Sequence, residues 1–485
     1  MSAGKRLGRL ESRLANLERE NAGLRALIAE LRAMLAERDA RIAELEAENA
    51  RLRGEAGKSS RNSSKPPSSD SPAQRAERTK KPGSGNKPGG QPGHEGHQRA
   101  LLPPEKVNRT REHFPKRCKG CHGELDATPH GDPVRHQVVE VPRIEPDVTE
   151  HRLNYVLCTC GCVTRAELPR GTPRGMCGPN LMAIITLLVG VYHLSRRDAV
   201  SCIGDVLGIQ IALGTLSKVE ARVSAMLEPA HKQAAALVKR ARAKHADATG
   251  WFQKAASRTL WVIASKLASV FHIVADGTRE ELKKLIGTLG VLITDRGSQF
   301  GFWAMEMRQI CWAHLIRKYV SFTEHAEPRA AQLGETLVLL TQTLLAQWHN
   351  VRDGTMSREE LQDFVARFRP VFEGHLARGV DLCLPGVSGS CANMLEHAEA
   401  LWTFAYVVAV EPTNNHAERE LRRFVLWRRR SFGSQSERGD RFAERVMTVV
   451  HTLRKQDRHV LSFLRDTIAA SMRGAALPSL MPNTP

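Results

Sequence analysis

The sequence has no apolar run long enough to cross a bilayer. Its most apolar stretch, residues 181–191, is short and interrupted, whereas a spanning helix needs roughly 20 apolar residues. A membrane partner is therefore not expected. Nothing at the start resembles a signal peptide, because the chain opens with a charged helical pattern. Acid is scarce: 52 Asp and Glu face 71 Lys and Arg, giving a net charge of +19 and a pI near 9.8. Such a balance fits a polyanionic partner, DNA or RNA. There are ten cysteines but a single C-x-x-C pair, and without an export signal these thiols read as reduced or metal-bound. The expectation is a cytoplasmic, nucleoid-associated protein acting on chromosomal DNA. At 485 residues, 41% hydrophobic, it should hold several domains and at least one large core.

Against this basic background three acids stand out. Asp247 (in Lys244-His-Ala-Asp247) and Asp295 (in Val291-Leu-Ile-Thr-Asp295) end or interrupt short β-branched and apolar runs that read as buried strands. Glu418, in Pro412-Thr-Asn-Asn-His-Ala-Glu418-Arg419, opens an Arg-rich helical stretch. Carboxylates hold divalent cations, and basic surroundings hold a phosphate backbone. Taken singly, Asp295 also reads as a turn cap, and Glu418 as a partner for Arg422 one helical turn on. Asp276 and Glu306 lack comparable settings and read as turn and surface residues.

Residues 1–56 carry a heptad repeat. Leu10, Leu17, Leu24, Leu31, Leu45 and Leu52 fall at d, broken by Arg38; Leu14, Asn21, Ile28, Leu35, Ile42 and Asn49 fall at a. Leucine at d with an occasional asparagine at a favours a parallel two-stranded coiled coil, hence a homodimer. Residues 57–112 lose this periodicity and read as a basic flexible linker. Residues 113–170 read as a zinc-finger-like module. Cys118 and Cys121 form one thiolate pair, and Cys158 with Cys160 a second, with Cys162 as the alternative and His113 or His122 as substitutes. Residues 171–240 are helical, with a helix-turn-helix outline around Gly208.

From residue 241 the pattern turns strand-rich. Residues 243–250, 259–265 and 269–275 read as an antiparallel meander, and Thr278-Arg-Glu-Glu281 as a capping box. Residues 290–295 and 309–313 are further strands. The order three strands, helix, strand, helix, strand resembles a ribonuclease-H-like core, in which the first and fourth strands are neighbours, so Asp247 and Asp295 would face each other. Residues 241–325 form the first part of this core, 326–408 a helical insertion, 409–470 its completion with the Glu418 helix, and 471–485 a disordered tail. The fold class is multidomain α+β.

Several of these stretches carry a resemblance running nearly end to end. The zipper, Asn62-Ser-Ser-Lys-Pro-Pro-Ser-Ser-Asp70, Lys87-Pro-Gly-Gly-Gln-Pro-Gly-His94, the cysteines, Thr294-Asp295, Cys311-Trp-Ala-His314-Leu-Ile-Arg-Lys318, Thr413-Asn-Asn-His-Ala-Glu-Arg419 and Ser431-Phe-Gly-Ser434 resemble the transposases of insertion-sequence family 66. The resemblance implies a DDE transposase whose triad is Asp247, Asp295 and Glu418. It further implies two Mg²⁺ or Mn²⁺ ions, double-stranded transposon-end and target DNA as substrates, and companion proteins of the same element. Two positions depart from the family: Ala248 stands where an acid is usual, and Cys158, Cys160 and Cys162 replace a second C-x-x-C.

Arg419, Arg422, Arg423, Arg428, Arg429 and Arg430 make a cationic stripe suited to the DNA backbone. His314 and His416 read either as neighbours of the metal or as satisfied core histidines. Trp303 and Trp312 read as core, and Trp427 as core or as a stacking platform for a base. The rival readings are a nuclease that cuts without joining and a catalytically inactive or domesticated DNA-binding regulator.

Overall fold

The computed structural model describes residues 3–56, 58–63, 70–72, 74 and 100–482. The Lys87–His94 motif and most of the basic linker lie outside the described residues. Two compact units emerge. One holds residues 1–76, 236–251 and 257–426; the other holds 77–235, 252–256 and 427–485.

The first unit opens with α1 (Ala3–Ala56), an unbroken 54-residue helix. Its Ala-, Leu-, Glu- and Arg-rich sequence has no proline and few glycines, which favours so long a helix. Its heptad positions Leu14, Leu17, Leu24, Ile28, Leu31, Leu35, Ile42 and Leu45 are all exposed in the single chain. The side chains of Leu10 and Leu52 lie outside the described residues. The linker after α1 is not wholly free. Ser60 donates its N–H and its hydroxyl to the Asp70 carboxylate, both residues are buried, and Asn62 Nδ2 donates to Glu324 Oε2 at 2.6 Å.

In chain order the strands are β1 (Tyr155–Leu157), β2 (Val163–Arg165), β3 (Ala243–Gln253), β4 (Ala256–Ala264), β5 (Ser269–Val274), β6 (Val291–Thr294) and β7 (Arg308–Ile310). The last five form one mixed sheet in the order β5-β4-β3-β6-β7. β4 and β5 pair antiparallel, while β3–β6 and β6–β7 are parallel. The first and fourth strands of this sheet are neighbours, as the sequence order required. β6 is buried along its whole length, as expected of a parallel strand covered on both faces.

Helix α6 (Arg279–Ile286) leads from β5 to β6, and the Thr278 side chain accepts from the Glu281 N–H as its cap. Between β6 and β7 the expected helix is replaced by two 3₁₀ turns, Ser298–Phe300 and Met305–Met307. Gly297 and Gly301, so close together, favour turns over a continuous helix. Helix α7 (Trp312–Thr323) begins two residues after β7, so the fifth strand ends earlier than the sequence pattern suggested.

Residues 326–408 are helical, as read: Pro328–Arg352, Arg358–Asp381, Ser388–Glu396 and Glu399–Tyr406. The fully buried Trp312 ties them to the sheet. Its ring lies 5.1 Å from Phe372 and 5.3 Å from Trp402, and its Nε1 donates to the Leu401 carbonyl. Trp303 is also buried.

The second unit carries the hairpin β1–β2 and a helical group. The helix-turn-helix outline is realised as Arg196–Leu207, a left-handed Gly208, and Leu213–Met226. A two-pronged ion pair from Arg196 to the buried Glu220 joins the two helices. Residues 471–485 are not a disordered tail throughout. Leu480 is fully buried, its N–H donates to Gln233, and its carbonyl accepts from Gln456. An apolar anchor of this kind orders a terminus that composition alone leaves open.

Ser431-Phe-Gly-Ser434 also finds its reason here. The Ser434 N–H donates to the Phe252 carbonyl, and the Lys254 N–H to the Ser434 carbonyl. Gly433, at φ +97, sits where a Cβ would overlap the Phe252 carbonyl oxygen. Strained backbone and a steric clash add up at such a site. Gly433→Ala should lower stability by about 2–4 kcal/mol in urea denaturation, while Gly389→Ala, with open space around it, should stay within about 0.5 kcal/mol.

Candidate active site

The register of β3 on β6 pairs Ala243 with Val291, Lys244 with Leu292 and His245 with Ile293. Each partner stands 48 residues on, and Asp295 stands 48 residues after Asp247. Continuing the register past the last paired residues therefore brings the two aspartates level, Asp247 within β3 and Asp295 just past the end of β6. Alternation along β3 puts His245 and Asp247 on one face and Lys244 on the other. There Lys244 is fully buried, its ammonium donating to the carbonyls of Lys239 and Ile286 and lying 5.5 Å from the Trp303 ring centre. Burial pulls its pKa down to about 8.

Both aspartates are held by local backbone. Asp247 Oδ1 accepts from the Ala248 N–H at 2.8 Å, and Asp295 Oδ1 from the Gly297 N–H at 2.9 Å. Among the described residues neither has a basic side chain as ion-pair partner.

Glu418 lies in the first turn of helix α12 (Asn415–Ser431), where the positive end of the helix dipole favours a carboxylate. Its position is set by Asn414. The Asn414 carbonyl accepts the Glu418 N–H at 3.3 Å. The Asn414 side chain is completely buried and donates to the Ala246 carbonyl at 2.9 Å, next door to Asp247; its amide oxygen meets His245 Nδ1 at 3.1 Å. Its own N–H points at Cys311 Sγ, 3.0 Å away. Cys311 in turn donates its N–H to the Thr294 carbonyl, and the Trp312 N–H donates to the Pro412 carbonyl. The stretches around Asp247, Asp295, Cys311 and Glu418 are thus stitched together through main-chain groups and one amide. Burial holds the Cys311 thiol protonated, its pKa pushed up to about 11.

Burial pushes the Asp247 carboxyl up to about 7; the Asp295 and Glu418 charges add to this, and Arg317 opposes it. Glu418 is not left alone. Arg317 Nη2 lies 3.3 Å from both its oxygens, and His314 Nε2 lies 3.6 Å away. His314 is held below its ordinary pKa, chiefly by burial and then by Arg317, and its Nδ1 is buried without a hydrogen-bond partner. His416 stacks on His245 with ring centres 4.9 Å apart.

Among the described residues no three His, Cys, Asp or Glu side chains converge closely enough to hold a metal ion as they stand. The donor chemistry nonetheless fits a hard divalent cation. It offers oxygen ligands only, and Asp247 is a buried carboxylate destabilised by two others, a strain that a cation would relieve.

The cysteines form two separate turns. The Cys118 N–H donates to the Gly123 carbonyl and the Cys158 N–H to the Cys162 carbonyl. The Cys118 thiol is held below the usual thiol range, first by the Cys121 backbone N–H, and Cys158 likewise by that of Cys160. Each turn favours a thiolate, and among the described residues no three of these cysteines group closely enough to hold a metal ion.

Of the six arginines, Arg419, Arg422, Arg429 and Arg430 are exposed, and Arg423 is half-buried. At 100° per residue Arg428 falls on the side of Ala417, Leu421 and Phe424, the buried face of the helix. Arg428 is half-buried, as is Arg423. Trp427 stacks on His193 with ring centres 4.9 Å apart, which gives it a protein partner. Asp276 caps a turn, accepting from the Thr278 N–H, and Glu306 is exposed.

Two residues carry more than the sequence suggested. Asn414 and Arg317 sit inside motifs whose acids drew attention first. Arg308 had no signal at all, being a lone arginine in a mixed stretch. It is fully buried on β7, donating to Thr294 Oγ1 and to the Asp295 carbonyl at 2.8 Å, and burial pulls its pKa down to about 10.

Residues 174–441, more than half of the chain and including all three acids, match the family described as Transposase IS66 family. Residues 11–100 match a family of unknown function. The chain is also similar to "Uncharacterized protein y4hP" of Sinorhizobium fredii, with 24% identity over 399 residues, covering 73% of this chain and 70% of that protein.

Two measurements test this geometry. Asn414→Ala orphans the buried Ala246 carbonyl and His245 Nδ1, each costing about 1–3 kcal/mol, so urea denaturation should show a loss of roughly 2–5 kcal/mol. For Asp247 the folded pKa lies above the unfolded one, so the native state binds the extra proton between about pH 4 and pH 7. In EDTA, stability should fall by a few kcal/mol as pH rises through that window. Asp247→Asn should flatten the slope and be the more stable protein at pH 8.

Proposed function

Because the chain belongs to the Transposase IS66 family, we propose that it is a metal-dependent DNA transposase with Asp247, Asp295 and Glu418 as its acidic triad. The observation that carries this reading is the register of β3 on β6, which sets Asp247 level with Asp295, together with the Asn414 amide that docks the Glu418 helix against Ala246. A buried Asp247 carboxyl feels the charges of Asp295 and Glu418 together, although the three come from a strand, a strand end and a helix. The strand order β5-β4-β3-β6-β7 supports assignment of the sheet to the ribonuclease-H-like class. The reaction is hydrolysis of a phosphodiester at the transposon end, followed by attack of the freed 3′-OH on target DNA in the same site. Asp247, Asp295 and Glu418 would hold two Mg²⁺ or Mn²⁺ ions, which would supply nucleophile activation and charge relief at the phosphorus.

The residues of the chain do the rest. In this scheme Asp247 would be the ligand common to both ions, with Asp295 and Glu418 each serving one. Asp295 is aimed by the Gly297 N–H and by Arg308 on its own carbonyl. Glu418 is aimed by Asn414. Arg419, Arg422, Arg423, Arg428, Arg429 and Arg430 present charge to the DNA backbone. The helix-turn-helix of the second unit is a further DNA contact. The exposed heptad leucines and isoleucines of α1 support a parallel homodimer, since a stripe that long is unstable in water without a partner. Cys118, Cys121, Cys158 and Cys160, or Cys162 in place of Cys160, are the proposed Zn²⁺ ligands, supported by the thiolate-favouring turns. No helix among the described residues is long and apolar enough to cross a membrane. No observation favours an inactive regulator over this reading.

A labelled duplex carrying the element's own end, with Mg²⁺ or Mn²⁺ and companion proteins, tests the proposal. Wild type should nick and join DNA, while Asp295→Asn and Glu418→Gln should bind it and lose at least about 10³-fold in cleavage. Metal-dependent joining that persists in both variants would overturn the triad.

A further inference from the structure

Helix α7 brings a second pair of side chains to the acidic triad. His314 and Arg317 are three residues apart, on one face of the helix, and both point at Glu418. Arg317 Nη2 contacts both carboxylate oxygens at 3.3 Å, and His314 Nε2 stands 3.6 Å from one of them. The Arg317 side chain is only 20% exposed and that of Glu418 29%, so little solvent screens the pair. The triad is therefore unevenly balanced: Asp247 and Asp295 rest on backbone N–H groups alone, while Glu418 carries a full counter-charge. A cation shared by all three acids must take oxygens that Arg317 now occupies. Once the cation is in place, guanidinium and cation are like charges a few ångströms apart, and Arg317 is driven off. The nearest polyanion in the working complex is the DNA strand, and a guanidinium binds phosphate in two-pronged fashion.

We propose that Arg317 is a displaceable latch: it neutralises Glu418 while no cation is held, and turns to a backbone phosphate of the DNA when cation and DNA arrive. The proposal rests on the transposase reading above. The latch keeps three acids from meeting unneutralised, and it makes cation binding compete with an internal ion pair. It also couples the two ligands. DNA offers Arg317 a new partner and so releases Glu418, which makes the cation bind more tightly in the presence of DNA than in its absence.

The experiment is Mn²⁺ titration of the full chain by calorimetry, with and without terminal DNA, for wild type, Arg317→Ala, Arg317→Lys and Asp295→Asn. Cleavage is followed in parallel, and circular dichroism confirms folding. The expected result without DNA is Mn²⁺ binding about 3- to 10-fold tighter in Arg317→Ala than in wild type, because the competitor is gone. DNA should tighten Mn²⁺ binding in wild type and do so much less in Arg317→Ala. At saturating Mn²⁺, Arg317→Ala should cleave more slowly, and Arg317→Lys should restore part of the rate. Unchanged or weaker Mn²⁺ binding in a folded Arg317→Ala, or an equal effect of DNA on both proteins, overturns the latch while wild-type cleavage leaves the transposase reading standing. Wild type that binds Mn²⁺ no more tightly than Asp295→Asn does, and never cleaves, overturns both.

Discussion

The side-chain amide of Asn414, buried out of reach of water, has to find its partners inside the protein, and the partners it finds belong to strand β3. A buried amide left unpaired costs more than its hydrogen bonds contribute. Helix α12 therefore has one acceptable docking position, with its first turn against Ala246 and its carboxylate beside Asp247. The Asn414 backbone adds a link to Cys311, and through Cys311 to Thr294 and the end of β6. Stretches far apart in sequence are fixed to one another by groups that carry no formal charge. That matters because the acids themselves repel: a neutral scaffold must hold them together before any cation does.

The price of that arrangement is visible in Asp247, which burial and its acidic neighbours push toward protonation. The protein balances the cluster from two sides. Arg317 meets Glu418 directly. Arg308, buried on β7 beside β6, donates to the carbonyl of Asp295 rather than to its carboxylate. Lys244, on the opposite face of β3, is neutralised by carbonyls and an aromatic ring and takes no carboxylate from the cluster. Of these three cations, Arg317 is the one that touches an acid side chain.

Much of this was legible in the sequence, and for identifiable reasons. β-branched runs marked β4, β5 and β6, and a fourth strand ending in Asp295 fixed which strands had to be neighbours. Glu418 was legible because it stands at the head of an Arg-rich helix. What escaped was whatever depends on three-dimensional closure. A lone Arg308 looks like any surface arginine until β7 is buried. The short sequence 471–485 gives no sign of the anchor that the packing of Leu480 provides. The cysteine module lies between these cases: its turns were foreseeable from spacing, while their mutual placement is not encoded in spacing at all.

The shared 48-residue offset between β3 and β6 also dictates where such a chain can gain or lose residues. A single insertion within 243–247 or 291–295 would turn one aspartate to the opposite face of the sheet, because side chains alternate along a strand. The turns at Lys254–Ala255 and Lys266–Leu267 carry no such penalty, since they lie off both acidic strands. Beyond Asp295 the chain returns at Arg308–Ile310 and again at Asn414. The helices of residues 328–406 share one core with β6, β7 and Trp312, and Leu401, Thr403 and Phe404 bond to Arg308 and Gln309, so changes of length there belong at helix ends away from these contacts. Related chains of different length should carry their differences at those helix ends and turns, with both acidic strands the same length in all of them.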